Sequence, residues 1–165
     1  MNGAAQELKV LLLRAPKRTL AVAESLTAGN VQARVASVAG SSAYFLGGVT
    51  AYSLDQKVKL LGVDRAAAKK VNCVSAEVAG QMARGACGLF DADVAVATTG
   101  YAEPSPADGV AVPFAWWAVA QRQGRRGKFL MRHGRVECPG EARVSVQAIV
   151  ADAALAELVA WLRES

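Results

Sequence analysis

Apolar residues along the chain follow two spacings, one typical of helices and one typical of buried strands. Residues 4–14 carry apolar positions at helical intervals, and Pro16 is expected to end that helix. A strand is predicted over Thr19–Ser25. The next helix is predicted to begin with Thr27 as its N-cap and to stop at Gly40.

The middle of the chain repeats this strand-to-helix order. A second strand is predicted over Phe45–Ser53, after which Asp55 can cap a short helix that ends at Gly62. Residues 75–90 carry an apolar stripe at helical spacing. The run Ala92–Gly100 is short, apolar and β-branched, which is typical of a central strand covered on both faces.

The last third of the chain predicts an antiparallel hairpin and a long helix. Residues 110–122 and 127–138 have the pattern of two paired strands, and residues 140–164 have that of a helix. Strands that alternate with helices predict an α/β fold. We therefore expect a three-layer α/β/α sandwich with a mixed sheet and a late antiparallel hairpin, in a single domain over residues 1–165.

The composition and the first residues of the chain predict whether the protein is soluble or attached to a membrane. Hydrophobic residues make up 53% of the chain, yet no apolar run reaches the roughly 18 residues that span a bilayer. The first residues lack a basic segment followed by an apolar one and a small-residue cleavage site. We expect a soluble, cytoplasmic protein with no membrane attachment.

The basic character of the chain raises nucleic acid as a partner. The formal net charge is +5, and much of the positive charge falls within Arg122–Arg135. In that segment basic residues alternate with apolar ones, as on the solvent-facing side of a hairpin. We expect a solvated basic face, and nucleic-acid binding is kept as an alternative that rests on the net charge alone. Association with an anionic small molecule stays open.

The cysteines and histidine do not form a metal-binding pattern. Cys73, Cys87 and Cys138 are far apart in sequence, and His133 is the single histidine. Thiols of cytosolic proteins usually stay reduced. We therefore predict free cysteines, no metal site and no cofactor.

Three polar clusters lie next to predicted strand ends, where open α/β sheets bind their ligands. The first precedes a helix whose free N–H groups could hold an anion. The clusters are Glu24–Asn30, then Gly40–Ser42 with Tyr52 and Lys57, and then Thr98–Gly100.

The second cluster contains a serine and a lysine, which can act as nucleophile and base without a histidine. This chemistry requires that burial or neighbouring groups lower the lysine pKa. A Ser–Lys arrangement is the hydrolytic device that these residues favour. Spacing alone also permits the alternative that Lys57 faces solvent and that the serines only form a turn or cap.

Four motifs, in register over residues 21–104, resemble the C-terminal domain of the competence/damage-inducible protein CinA. They are "AESLTAG", "GSSAYFLGGVTAYSLDQKVKLLGV", "VSAEVA" and "TTGYAEP". That family includes stand-alone amidohydrolases that convert nicotinamide mononucleotide to the acid and ammonia without a metal, in pyridine nucleotide recycling. The resemblance implies an amidohydrolase that acts on this nucleotide or on a related amide.

The resemblance also implies roles for individual residues. Ser42 is the candidate nucleophile, and Tyr52 and Lys57 are candidates for proton transfer and nucleophile activation. The remaining candidates bind substrate, and they are Thr99, Gly100, Ser25, Thr27 and Arg143. The resemblance thus implies that Lys57 points inward.

Association of subunits is expected on two grounds. Members of the resembling family associate, and a chain of 17.2 kDa with 53% hydrophobic residues is expected to bury apolar surface between subunits. We therefore expect a homo-oligomer. Trp116, Trp117 and Trp161 are candidates for the interface, with core packing as the alternative.

The chain also departs from the family pattern in its binding loops. Leu26, Ala28 and Leu54 replace a cysteine, a glycine and an asparagine that are usual there. Tyr101 and Glu103 add bulk and negative charge to a loop that should accept a phosphorylated substrate. These changes favour a second hypothesis, a non-catalytic relative that serves nucleotide sensing or protein association.

Overall fold

A computed structural model describes residues 3–124 and 127–165, which form five strands and six α-helices. The strands are β1 (Leu20–Glu24), β2 (Phe45–Thr50), β3 (Val94–Tyr101), β4 (Phe114–Gln123) and β5 (Lys128–Glu137). The helices are α1 (Gly3–Leu13), α2 (Asn30–Ala36), α3 (Leu54–Leu61), α4 (Arg65–Lys70), α5 (Ala76–Phe90) and α6 (Arg143–Glu164). Two short 3₁₀ turns cover Ser41–Ala43 and Pro106–Asp108.

The five strands form one mixed sheet in the order β2-β1-β3-β4-β5. β1 pairs in parallel with both β2 and β3, whereas β4 pairs antiparallel with β3 and with β5. The late hairpin predicted from the sequence is therefore β4–β5. The parallel part places the carboxyl ends of β1, β2 and β3 along one edge of the molecule.

Helices cover both faces of the sheet, which confirms the predicted three-layer α/β/α sandwich. Larger apolar residues of β1 and β3, such as Leu20 and Val96, pack towards α1, α2 and α6. The alternate positions of the same strands are alanines, such as Ala21 and Ala97, and they pack towards α3, α4 and α5. Small residues on this face let α5 lie close to the sheet.

The bounds or caps of two helices differ from the predictions, and a third helix was not predicted. α2 begins at Asn30 after Gly29 and ends at Ala36, so Thr27 is not its N-cap and Gly40 is not its stop. α3 is capped by Ser53 rather than by Asp55. α4 was not predicted, because its sequence RAAAKK lacks an apolar stripe.

α6 is a core helix with an apolar composition. Among the described residues it is the single helix that is long and apolar enough to cross a bilayer. Leu155, Leu158 and Leu162 lie in the main core of the domain, against α1 and the sheet. A core helix of a globular domain has this same character, so the composition of α6 is weak evidence for a membrane span.

Arginines of the basic segment pair with carboxylates on the surface. Arg122 contacts Asp91, Arg132 contacts Glu164, and Arg135 contacts Glu137. Arg125 and Arg126 of the same segment lie outside the described residues. Each of the three pairs neutralises one positive charge of the predicted basic face.

Candidate functional site

A pocket of about 450 Å³ opens where the parallel strands end. It is lined by residues that follow β1 and β2, by the end of β3 and the loop after it, by the connection between α4 and α5, and by the first turns of α3 and α6. Its polar lining residues include Ser25, Tyr52, Ser53, Lys57, Asn72, Cys73, Thr99, Glu103, Ser105, Asp108 and Arg143. The carboxyl edge of the parallel strands is where open α/β sheets bind ligands.

Lys57 is buried at this pocket with three hydrogen-bond acceptors. Its side chain is 2% exposed, and its Nζ donates to the Ser25 Oγ at 2.9 Å. Nζ also donates to the backbone oxygens of Ala51 at 2.9 Å and Tyr52 at 2.8 Å. The expectation that Lys57 points inward agrees with this geometry.

The chain places Lys57 there through the junction between β2 and α3. The Ser53 side chain accepts a hydrogen bond from the Gln56 N–H, which starts α3 immediately after the strand. Lys57 is therefore one turn into the helix. The carbonyls of Ala51 and Tyr52, which lie between strand and helix, remain free to accept from its amine.

Burial alters the acidity of this amine. Desolvation disfavours an ammonium, so burial lowers the pKa of Lys57 below its ordinary value. The nearby Cys73 acts in the opposite direction and partly offsets the shift. A lysine with a lowered pKa can lose its proton and serve as a base.

The serine that meets Lys57 is Ser25, and the pairing of Lys57 with Ser42 is wrong. Ser25 directly follows β1 and is 7% exposed. Ser42 is an exposed residue in the turn before β2 and does not line the pocket. Because six residues of strand span about 20 Å, Ser42 lies at the opposite end of β2 from Lys57.

The proposed anion site at the start of α2 is also wrong, because the protein occupies it. The buried carboxylate of Glu24 accepts hydrogen bonds from the backbone N–H groups of Gly29, Val31 and Gln32. Glu24 thereby caps the helix from the end of β1. An anionic ligand would meet a carboxylate there rather than free N–H groups.

Thr27 does not line the pocket either. It is fully buried, and its hydroxyl shares a 2.7 Å hydrogen bond with that of Thr98. This bond links the β1–α2 connection to β3. The assignment of Thr27 as a substrate-binding residue is therefore replaced by a structural role.

The two residues at the end of β3 do line the pocket. Thr99 is buried, and its hydroxyl donates to the carbonyl of Cys73 at 2.7 Å. Gly100 lies beside β4 so closely that a Cβ atom would come within 2.4 Å of the Phe114 oxygen. Close strand packing therefore explains the glycine, whereas the Thr99 oxygen remains able to accept a hydrogen bond from a ligand.

The mouth of the pocket carries four exposed polar residues that we call the rim, namely Tyr52, Glu103, Asp108 and Arg143. Arg143 connects two of them: its Nη1 contacts Glu103 at 2.6 Å, and its Nη2 donates to the Tyr52 hydroxyl at 2.8 Å. The start of α6 is thereby joined to the loop after β3 and to the junction after β2.

A second group of polar contacts holds the loop after β3. Asn72 donates to the Tyr101 hydroxyl at 3.1 Å and to Asp108 at 3.4 Å, and Ser105 donates to Asp108 at 2.6 Å. The Tyr101 ring also packs on Phe114. Sequence patterns did not indicate Asn72 or Asp108 as site residues, because their position depends on the folded loop.

The role of Ser25 could have been found in the sequence. It is the last residue of a predicted strand, whereas Ser42 precedes one, and ligands bind at the carboxyl ends of parallel strands. Among the described residues, no group of three or more His, Cys, Asp or Glu side chains could hold a metal ion.

Comparisons with known proteins agree on one family. A family model described as the CinA C-terminal domain matches residues 3–162. A CinA-like protein from Picosynechococcus sp. is 50% identical over 97 residues, which are 59% of this chain and 23% of that protein. A CinA-like protein from Geobacter sulfurreducens is 44% identical over 114 residues, 68% of this chain and 28% of the relative. The chain thus spans about a quarter of these relatives.

Solved structures share the whole architecture. A CinA superfamily protein from Klebsiella pneumoniae has a TM-score of 0.88 at 27% identity, over 99% of this chain and 98% of the other. A competence/damage inducible protein from Agrobacterium tumefaciens has a TM-score of 0.82 at 27% identity, over 99% and 96% of the two chains. With the family model matching almost its full length, the chain belongs to the CinA C-terminal domain family.

Proposed function

We propose that this chain is an amidohydrolase that cleaves the carboxamide of nicotinamide mononucleotide, or of a related amide, to the acid and ammonia. The observation that carries the proposal is the buried Lys57 amine 2.9 Å from the Ser25 hydroxyl at the pocket. A serine hydroxyl is a weak nucleophile until a neighbouring base takes its proton. Membership of the CinA C-terminal domain family supports the same reaction class.

The two carbonyls around Lys57 orient its amine for this task. A neutral amine has two N–H bonds and one lone pair. When the carbonyls of Ala51 and Tyr52 accept the two N–H bonds, the lone pair is left for the third partner, the Ser25 hydroxyl. The same geometry therefore serves both the protonated and the neutral lysine.

The reaction then runs through an ester on Ser25. The Ser25 oxygen attacks the carboxamide carbon as its proton passes to Lys57. The C–N bond breaks, and ammonia leaves with the proton that Lys57 returns. Water next attacks the ester and gives a proton to Lys57, and this proton restores the Ser25 hydroxyl as the ester C–O bond breaks.

Other pocket residues have supporting roles in this proposal. The Thr99 hydroxyl donates a hydrogen bond to the Cys73 carbonyl, so a lone pair of its oxygen can accept a hydrogen bond from the carboxamide N–H₂ group. Arg143 and the Tyr52 hydroxyl, at the rim, contact the part of the substrate that is far from the carboxamide.

Ammonia release from nicotinamide mononucleotide tests the proposal. Ser25→Ala and Lys57→Met should each lower kcat/KM by about a thousandfold or more, and the double variant should lose little beyond either single one. Ser42→Ala is the matched control and should keep the wild-type rate. Full turnover in Ser25→Ala, or loss of turnover in Ser42→Ala, would overturn the proposal.

A wild-type protein that binds the amide but releases no ammonia would instead support the second hypothesis, a non-catalytic sensing or interaction domain. The observation that supports this hypothesis is the presence of Tyr101, at the end of β3, and of Glu103, in the loop after it, at the pocket.

A further inference from the structure

The charges at the rim differ from those that a phosphate would need. The rim carries one guanidinium, that of Arg143, and two carboxylates, those of Glu103 and Asp108. The remaining charged lining residue is Lys57, which is buried and bonded to three acceptors. The mouth of the pocket therefore has one more negative charge than positive charges.

The guanidinium at the rim is also engaged by the protein itself. Both of its terminal nitrogens have partners, Glu103 on Nη1 and the Tyr52 hydroxyl on Nη2. A phosphate that approached Arg143 would have to displace the Glu103 carboxylate and remain close to it. Two anionic groups beside a single guanidinium repel one another.

The other rim carboxylate is held in place as well. Asp108 accepts hydrogen bonds from Ser105 and Asn72, both of which line the pocket. These contacts keep the carboxylate at the mouth rather than leaving it free to turn away. A ligand group at the rim therefore meets two positioned carboxylates.

We propose that the Glu103–Arg143 pair selects against phosphorylated substrates, so that the preferred amide carries an uncharged or cationic group at the rim. This inference rests on the proposed function, because the carboxamide must face Ser25 for the far end of the substrate to lie at the rim. Glu103 is a specificity-determining residue in this assignment and takes no part in bond breaking.

The expected effect is moderate, because the pair is partly exposed. The side chains of Arg143 and Glu103 are 43% and 62% exposed, so water screens their fields. Coulomb repulsion of a phosphate dianion by one such carboxylate amounts to about a tenfold loss of affinity at low salt. The loss should appear in KM and Kd, with kcat almost unchanged.

The test compares nicotinamide mononucleotide with its dephosphorylated riboside. For the wild type, kcat/KM should be about tenfold higher for the riboside at low salt, and the preference should shrink in high salt. Glu103→Gln should remove most of the preference through a lower KM for the mononucleotide. Glu7→Gln removes an exposed Arg–Glu pair far from the pocket, that with Arg163, and should behave as the wild type.

Binding measurements separate this inference from the proposed function. Titration calorimetry with Ser25→Ala, alone and combined with Glu103→Gln, gives the Kd ratio of the two ligands without turnover. If neither amide releases ammonia, the proposed function is contradicted. The Kd ratio of the two ligands would still show whether the rim selects against the phosphate. The inference would be overturned if the wild type prefers the mononucleotide or if neither ligand binds. It would also be overturned if Glu103→Gln leaves the Kd ratio of the two ligands unchanged.

Discussion

Lys57 is a buried amine whose surroundings satisfy it without a carboxylate. Its three partners are two carbonyls and a hydroxyl, all of them uncharged. Neutral acceptors compensate the loss of hydration less than a carboxylate would, which is why burial lowers its pKa. The neutral form required of a base is therefore present at lower pH than for an exposed lysine.

Activity should consequently rise with pH and then level off. Only neutral Lys57 can accept the Ser25 proton, so kcat/KM is expected to increase about tenfold per pH unit below the Lys57 pKa. Because burial lowers that pKa, the plateau should begin below the ordinary lysine value of 10.5. A kcat/KM profile from pH 6 to 10, measured with Ser42→Ala as a control, checks this. A profile that falls with pH over the same range would contradict the assignment of Lys57 as the base.

The free energy of unfolding should also depend on the protonation of Lys57. Between the lowered pKa of folded Lys57 and the unfolded value of 10.5, the unfolded state binds more protons than the folded state. The contribution of Lys57 to the free energy of unfolding therefore rises with pH in that window and is flat below it. Urea unfolding of the wild type and of Lys57→Met at several pH values measures this contribution as a difference. A difference that does not vary with pH would mean that Lys57 has the same pKa in both states.

At the scale of elements, the position of Lys57 depends on how α3 packs against α5. Gly85 of α5 faces the end of α3, where an added Cβ atom would lie 2.1 Å from the Leu61 backbone oxygen. Gly88 belongs to the same helix, and an added Cβ atom there would meet nothing within 4 Å beyond the adjoining backbone of that helix. Alanine substitutions at the two glycines therefore distinguish the effect of helix propensity from the effect of helix packing.

Gly85→Ala should destabilise the fold, whereas Gly88→Ala should stabilise it. Alanine favours a helix over glycine by about 1 kcal/mol, which Gly88→Ala should largely retain. In Gly85→Ala the backbone clash should outweigh that gain and lower the free energy of unfolding by about 2 kcal/mol. Gly85→Ala should also reduce the proposed amidase activity, because α3 carries Lys57. Urea unfolding and ammonia release of both variants test the prediction, which equal stabilities would contradict.

Element order and layer architecture were predictable from the sequence because they depend on local periodicity. The short, apolar, β-branched run Ala92–Gly100 indicates a strand covered on both faces, and the structure has that arrangement. The start of α2 was not predictable in this way, because Glu24 caps it from the preceding strand across the Gly29 turn.

The candidate site was predictable only in part, because local sequence patterns do not show which distant residues meet in space. Lys57, Thr99 and Arg143 were expected near the substrate, and the structure places all three at the pocket. Ser42 was paired with Lys57 because the two share one motif. Closeness in sequence does not imply closeness in space when a whole strand separates two residues.

At the scale of the whole molecule, the tryptophans that were candidates for an interface contribute to the interior. Trp117 lies in the main core and is 6% exposed, and the Trp161 indole donates to Gln121 at 2.8 Å. Trp116 is partly buried against the opposite face of the sheet. Trp117 is therefore a core residue, whereas Trp116 and Trp161 are partly buried and remain candidates for an interface.

Large apolar side chains that the fold leaves in solvent support the expectation of a homo-oligomer. Val10 is 67% exposed and Val144 is 75% exposed, and further exposed large hydrophobic residues in the described part of the chain are Leu46, Tyr52, Val71, Leu89, Leu130 and Met131. Water contact of such groups is unfavourable by about 25 cal/mol per Å², so burial between subunits is expected to stabilise an assembly. Light scattering at micromolar concentration should give a multiple of 17.2 kDa. Val10→Lys should lower that mass if Val10 is buried in the interface, and Val144→Lys should do so if Val144 is buried there. Lys59→Arg is the control, because it keeps the surface charge. A wild-type mass of 17.2 kDa at this concentration would contradict the expectation.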